Sequence, residues 1–163
     1  MTKKRILIVD DEVSFTRLLK LNLEQTNDYV VRVENWAEDA LPAAREFRPD
    51  LIFLDVMMPR MFGGEIAAHL RGDAGLKATP IVFFTAAVSK TRLKEHDGVI
   101  SGFPFLAKPA SVEDVIAQIE RRLAQTPPAL HPPATRQCGS AIAETMTEAV
   151  LRNETPNRGE FLH

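Results

Sequence analysis

The chain has 163 residues, with 20 Lys and Arg against 22 Asp and Glu, 45% hydrophobic and 26% charged residues, the profile of one ordinary globular domain with a small remainder. A formal net charge of −2, with basic residues clustered only at Lys3-Lys4-Arg5 and Arg121-Arg122, gives no footprint for nucleic acid, so no nucleic-acid partner is expected. Cys138 is the only cysteine, no Cys/His set has zinc-ligand spacing, and no apolar run nears the roughly 20 residues of a membrane span or the core of a signal peptide, so a cytoplasmic protein with no membrane partner is expected.

Short apolar runs at 5–9, 29–33, 51–54, 81–84 and 103–106 read as strands, and amphipathic stretches between them read as helices, in the order βαβαβαβαβα. The first helix carries a stripe of Phe15, Leu18, Leu19 and Asn22. The run 29–33 includes Arg32 and suits an edge strand, whereas the last three runs are apolar throughout and suit strands covered on both faces. The second helix is expected to start at Asn35 as N-cap with Glu38 as its capping partner, Trp36 packing beside it, and Ala37, Ala40, Leu41, Ala44 and Phe47 facing inward. An interior Pro42 costs about 3 kcal/mol, so a kink or break is expected at 40–42.

The third helix is expected at 64–71, ending at Gly72. The fourth, at 88–96, has only Val88 and Leu93 as apolar anchors before the stretch 97–102, so a short helix or none is expected there. The fifth, at 112–124, is capped by Ser111 with Asp114 reciprocating, and buries Val115, Ile116, Ile119 and Leu123. Helix-length crossovers between strands imply an α/β fold with a five-stranded parallel sheet between helices. Residues 126–134 hold four of the eleven prolines, so the chain divides into a domain at 1–125, a proline-rich linker at 126–135 and an extension at 136–163. In the extension Ser140 precedes a helical stripe of Ile142, Met146, Ala149 and Val150.

Parallel sheets bind ligands at the carboxyl ends of their strands, and those ends carry Asp10-Asp11, Asp55, Thr85 and Lys108-Pro109. Three adjacent carboxylates repel one another unless a cation sits among them, and hard oxygen ligands suit Mg²⁺. An aspartate beside such an ion can attack phosphorus and become an acyl phosphate, with Thr85 donating to one phosphoryl oxygen and Lys108 neutralising another. Singly, the same residues have blander roles, since Asp10, Asp11 or Thr85 could merely cap a helix. An aspartate-nucleophile phosphohydrolase is a second reading of the set, although Asp10-Asp11-Glu12 lacks the Asp-x-Asp signature expected after its first strand. A scaffold that is never phosphorylated is a third, against which the presence together of Asp11, Asp55, Thr85 and Lys108 argues.

Five segments in order, Ile6-Leu7-Ile8-Val9-Asp10-Asp11-Glu12, Pro49 to Pro59 around Asp55, Gly64, Pro80-Ile81-Val82-Phe83-Phe84-Thr85-Ala86 and Phe105-Leu106-Ala107-Lys108-Pro109, make residues 4–125 resemble the receiver domain of two-component response regulators. The resemblance implies a doubly wound, flavodoxin-like sheet of strand order 2-1-3-4-5. It implies that Asp55 is the phosphoacceptor of a histidine kinase or phosphotransfer protein. It implies that Mg²⁺ is held by Asp11, Asp55 and the Met57 backbone carbonyl, with Asp10 acting through a water. Thr85 and Phe105 are then the switch pair, the ring filling space that the hydroxyl leaves, and Lys108 pairs with a phosphoryl oxygen ahead of a cis peptide bond to Pro109. Such a protein is a phosphoprotein that catalyses only its own phosphorylation and dephosphorylation. Its downstream protein partner meets the face of the fourth helix, fifth strand and fifth helix, or the C-terminal tail.

Three departures from the family pattern stand out. Met57 and Ala87 offer no carboxylate or amide to an attacking water, Phe62 replaces the usual acidic residue before the glycine, and Lys90 to Phe103 lacks the usual Ala/Gly-rich helix end.

Overall fold

A computed structural model describes residues 2–100 and 102–125. The expected linker at 126–135 and extension at 136–163, with Cys138 and the Ser140 to Val150 stripe, lie outside the described residues. The elements are β1 (Lys4–Val9), α1 (Val13–Gln25), β2 (Tyr29–Glu34), a 3-10 turn (Ala37–Asp39), α2 (Ala40–Phe47), β3 (Leu51–Leu54), α3 (Gly63–Gly72), β4 (Ile81–Thr85), α4 (Lys90–Glu95), β5 (Val99–Ile100), β6 (Phe103–Ala107) and α5 (Val112–Gln125).

The sheet runs β2-β1-β3-β4-β6-β5. Its five long strands are parallel and stand in the expected 2-1-3-4-5 order, with β2 at one edge. The sixth strand, β5, was not expected. It pairs antiparallel with β6, Val99 opposite Pro104 and Ile100 opposite Phe103. Asp97, Gly98 and Gly102 all take positive φ angles and so reverse the chain on either side of two β-branched residues, which is why a stretch read as a loop supplies a strand.

Alternation along each strand feeds two cores, one on each face of the sheet. Leu7, Val9, Ile52, Leu54, Phe83 and Phe105 pack toward α2 and α3. Ile6, Ile8, Leu51, Phe53, Val82 and Phe84 pack toward α1 and α5. Because both faces are covered, β3 and β4 are buried at every position. In α5 the capping box forms as expected, with Asp114 N–H donating to Ser111 Oγ at 3.1 Å and Ser111 N–H to Asp114 Oδ2 at 3.2 Å. Among the described residues no helix is long and apolar enough to cross a membrane.

Three local expectations are corrected. In α1 the buried positions are Thr16, Leu19 and Leu23, with Phe15 packed beside them, while Leu18 is exposed, because the helix turns the Leu23 side of its stripe to the sheet. Asn35 does not cap the second helix. Trp36 precedes the 3-10 turn, Asp39 precedes α2, and the Asn35 amide is engaged elsewhere. Trp36 is itself exposed rather than packed in the core, with the Arg60 guanidinium 5.9 Å from its ring centroid. The break near Pro42 does occur, as a change from 3-10 to α geometry after Asp39. Helix α4 forms in the short version, six residues capped by Ser89, whose Oγ accepts from Arg92 N–H at 3.2 Å.

That break places Pro42 third in α2, in the first turn, where a backbone N–H has no intrahelical acceptor to lose. Pro42→Ala is therefore expected to change stability by less than about 1 kcal/mol, chiefly through the unfolded chain. Urea unfolding checks this; a gain of about 3 kcal/mol would mean that the proline strains the helix.

Candidate functional site

Register brings the acidic residues together. Leu54 lies opposite Val9 in the β1/β3 ladder, so Asp10 and Asp55 leave adjacent strands side by side. Asp55 N–H donates to Val9 O at 2.9 Å and Asp10 N–H to Glu34 O at 3.1 Å, which extends the ladder into the site. One carboxylate oxygen from each of Asp10, Asp11 and Asp55 lies within 4.8 Å of the other two. Asp10 and Asp55 are buried and Asp11 is exposed. Asp10 Oδ1 accepts the Glu12 N–H at 3.0 Å, and Asp55 Oδ1 the Met57 N–H at 3.4 Å.

Lys108 enters from the end of β6. Its N–H donates to Thr85 O at 3.0 Å, and its peptide bond to Pro109 is cis. The ammonium pairs directly with Asp10 Oδ2, lies 3.6 Å from Asp55 Oδ2 and 4.0 Å from Glu12 Oε2, and stands 4.6 Å from the centroid of the Phe15 ring. A cation on an aromatic face keeps a favourable electrostatic contact after losing water. Thr85 is fully buried at the end of β4, and its hydroxyl accepts the Ala87 N–H at 3.2 Å. Phe105 is also buried, stacked on Phe83 with centroids 5.2 Å apart. Met57 is exposed beside Asp55 and bridges to Phe62.

Four side chains that took no part in the site as read from sequence belong to it. Glu12 joins the Lys108 cluster, Phe15 floors it, and Asn35 and Thr16 hold the Asp10 backbone. Only Glu12 had a signal, its place beside Asp10-Asp11; the others depend on packing between distant segments. A β-carbon at Gly63 would fall on the Asp55 carbonyl oxygen and 2.9 Å from Val56 Cα, so Gly63 is pressed against the exit of β3.

Asp10, Asp11, Asp55 and Glu12 set against the single ammonium of Lys108 leave the crevice net negative, a charge that a divalent cation offsets. With one oxygen from each of Asp10, Asp11 and Asp55 inside 4.8 Å, the three form a hard-oxygen set that could hold Mg²⁺. Burial pushes the Asp10 carboxyl above its ordinary value, opposed by the Lys108 and Glu12 hydrogen bonds.

The fold is that of the flavodoxin-like α/β domains, with the acidic cluster at the carboxyl ends of its strands. Residues 6–120 match the response regulator receiver domain model, and the chain belongs to that family. It is 34% identical over 122 residues to the DNA-binding response regulator MtrA of Mycobacterium tuberculosis, covering 74% of this chain and 51% of MtrA. The chain spans about half the length of the curated relatives it matches. Among solved structures, the chemotaxis protein CheY4 of Vibrio cholerae is 30% identical with a TM-score of 0.62, over 74% of this chain and 98% of CheY4. The receiver domain of sensor histidine kinase PA1611 from Pseudomonas aeruginosa shares the fold at 22% identity and a TM-score of 0.63, over 76% of this chain and all (100%) of that one; its structure has a magnesium ion coordinated in the active site cleft.

Two outcomes follow. A carboxyl raised in the folded state holds its proton where the unfolded chain has lost it, so its contribution to stability falls as pH rises from about 3.8 through the folded value. Asp10→Asn, which leaves Lys108 with Asp55 and Glu12, is expected to raise the stability of the metal-free protein more at neutral pH than near pH 4. Urea melts across that pH range test this. Gly63→Ala must displace the Asp55 backbone and is expected to cost about 1–3 kcal/mol of stability. It should also slow labelling of Asp55 by acetyl phosphate; thermal unfolding and intact-mass time courses check both.

Proposed function

We propose that this domain is a phosphorylation switch in which Asp55 takes a phosphoryl group from the phosphohistidine of a histidine kinase or phosphotransfer protein. The observation that carries the reading is the recessed Asp55 carboxylate, facing Lys108 at 3.6 Å with Asp10 and Asp11 in the same cluster. Asp11, Asp55 and the Met57 carbonyl would hold Mg²⁺, with Asp10 acting through a water. Bound there, the ion would offset the carboxylate charge and that of the phosphoryl oxygens.

An Asp55 oxygen forms the new bond to phosphorus as the bond to the donor nitrogen breaks, and the imidazole keeps the electron pair and takes up a proton. Lys108, already between Asp10 and Asp55, exchanges a carboxylate for a phosphoryl oxygen as its partner. The Thr85 hydroxyl, accepting from Ala87 in this state, turns its own hydrogen to another phosphoryl oxygen. Phe105 then transmits the change. Its ring belongs to the Phe83 stack and also lines a groove of about 410 Å³ between α4, β6 and α5, with Leu93, Leu106 and Arg121, and this groove is the face we assign to a downstream protein partner. The residues outside the described ones offer a second place for such a partner. Balanced charge favours protein contacts over nucleic acid as the output of these 163 residues. The bond to Asp55 is lost by hydrolysis in place, unassisted by the Met57 and Ala87 side chains, so the protein modifies itself rather than turning over a substrate.

Incubation with Mg²⁺ and acetyl phosphate, followed by intact-mass measurement, tests the reading. The wild type is expected to gain one phosphoryl group and Asp55→Asn none. Multiple turnover of small phosphate esters would make the protein a phosphohydrolase, and no labelling under any condition would make it a scaffold.

A further inference from the structure

The main-chain carbonyl of Asp10 is held by a side chain from a distant segment of the chain. Asn35, just beyond β2, places Nδ2 at 2.6 Å from Asp10 O and 3.0 Å from Thr16 Oγ1. Asp10 O can only accept, so the amide nitrogen, not its oxygen, must face it. Thr16 Oγ1 in turn gives its one hydrogen to Val13 O at 3.0 Å. The hydroxyl is thus engaged as acceptor and donor in a side chain only 1% exposed. The other side of Asp10 is fixed as well, by its N–H donating to Glu34 O at 3.1 Å.

We propose that Asn35 and Thr16 form a bracket that sets the direction in which the Asp10 and Asp11 carboxylates meet a divalent cation. This rests on the metal-dependent switch proposed above. The peptide unit between Asp10 and Asp11 is planar, so anchoring its carbonyl oxygen fixes the plane and the N–Cα bond of Asp11, which narrows the directions open to the Asp11 side chain. Asp11 needs such an anchor. It is exposed, and no hydrogen bond of its carboxylate is found among the described contacts. Asp10 and Asp55, by contrast, are each held by a backbone N–H and by Lys108. The bracket also ties the β1–α1 loop to the first turn of α1 and to the end of β2, so three segments must agree before the carboxylates converge. Asn35 and Thr16 touch neither the ion nor the phosphoryl group in this scheme; they are positioning residues, and groups that orient metal ligands are commonly worth 10–100-fold in metal affinity.

The test uses the full chain and Mg²⁺ alone, with affinity read by titration calorimetry and stability by urea unfolding. Asn35→Ala is expected to raise the Mg²⁺ dissociation constant about 10-fold or more. Thr16→Val, of the same shape without the hydroxyl, should raise it by a smaller factor, and Thr16→Ser, which keeps the hydroxyl, should restore it to within about twofold of wild type. The double variant should lose less than the product of the single losses, since both act through one bracket. Labelling by acetyl phosphate should recover to near the wild-type rate at saturating Mg²⁺, separating metal binding from the chemical step. Variants that lose stability but keep the wild-type Mg²⁺ affinity would overturn the proposal and leave the bracket a purely structural device. If Asn35→Ala does not fold, the Thr16→Val and Thr16→Ser pair decides by the same criterion. A wild type that binds no Mg²⁺ would overturn the metal reading as well, and its own titration distinguishes that failure from the other.

Discussion

Parallel pairing makes every long strand of this sheet end on one edge, and four of those ends carry charged or hydroxyl side chains. Their convergence is geometrically forced and electrostatically costly. Asp10, Asp11 and Asp55 repel one another, and two of them are buried. Lys108 offsets part of that cost from the end of β6, supported by the face of Phe15. The fold therefore holds a site that keeps net negative charge, a condition that favours a divalent cation and then a phosphoryl group. The two hydrophobic cores supply the stability against which this localised repulsion is maintained.

Much of this was legible in the sequence because it depends on local patterns. Five apolar runs, their spacing and the residues just after them were enough to place Asp10, Asp11, Asp55, Thr85 and Lys108 on one edge, and the Ser111/Asp114 capping box sits where its residues suggested. Two of the failures, in α1 and at Asn35, share a cause. Leu18 and Leu23 fit helical periodicity equally well, and only the packing of α1 against the sheet decides between them. Asn35 has good N-cap chemistry, yet the Asp10 carbonyl, 25 residues away in sequence, competes for its amide. Both concern contacts between segments far apart in the chain.

The departures from the family pattern cluster in two places. Near the crevice, Met57 and Phe62 leave apolar surface exposed, while the exposed Trp36 lies under the Arg60 guanidinium, which also donates to Glu38. Beyond β4, a helix of only six residues gives way to the β5–β6 hairpin, whose Phe103 packs edge-on against Phe83 and beneath the Arg71 guanidinium. The second region thus reaches the same aromatic stack that holds Phe105.

The reversed strand β5 has a consequence for how copies of this domain meet. A β-sheet grows by adding strands to an unpaired edge, and a long flat edge is a template for aggregation. Here the outer edge of β6 is partly covered by a strand of two residues running the opposite way. At the far edge, the Val31 N–H is met by Glu24 Oε1 from α1 at 3.0 Å. Both margins are thus partly occupied by groups of the chain itself, which works against strand-by-strand self-association.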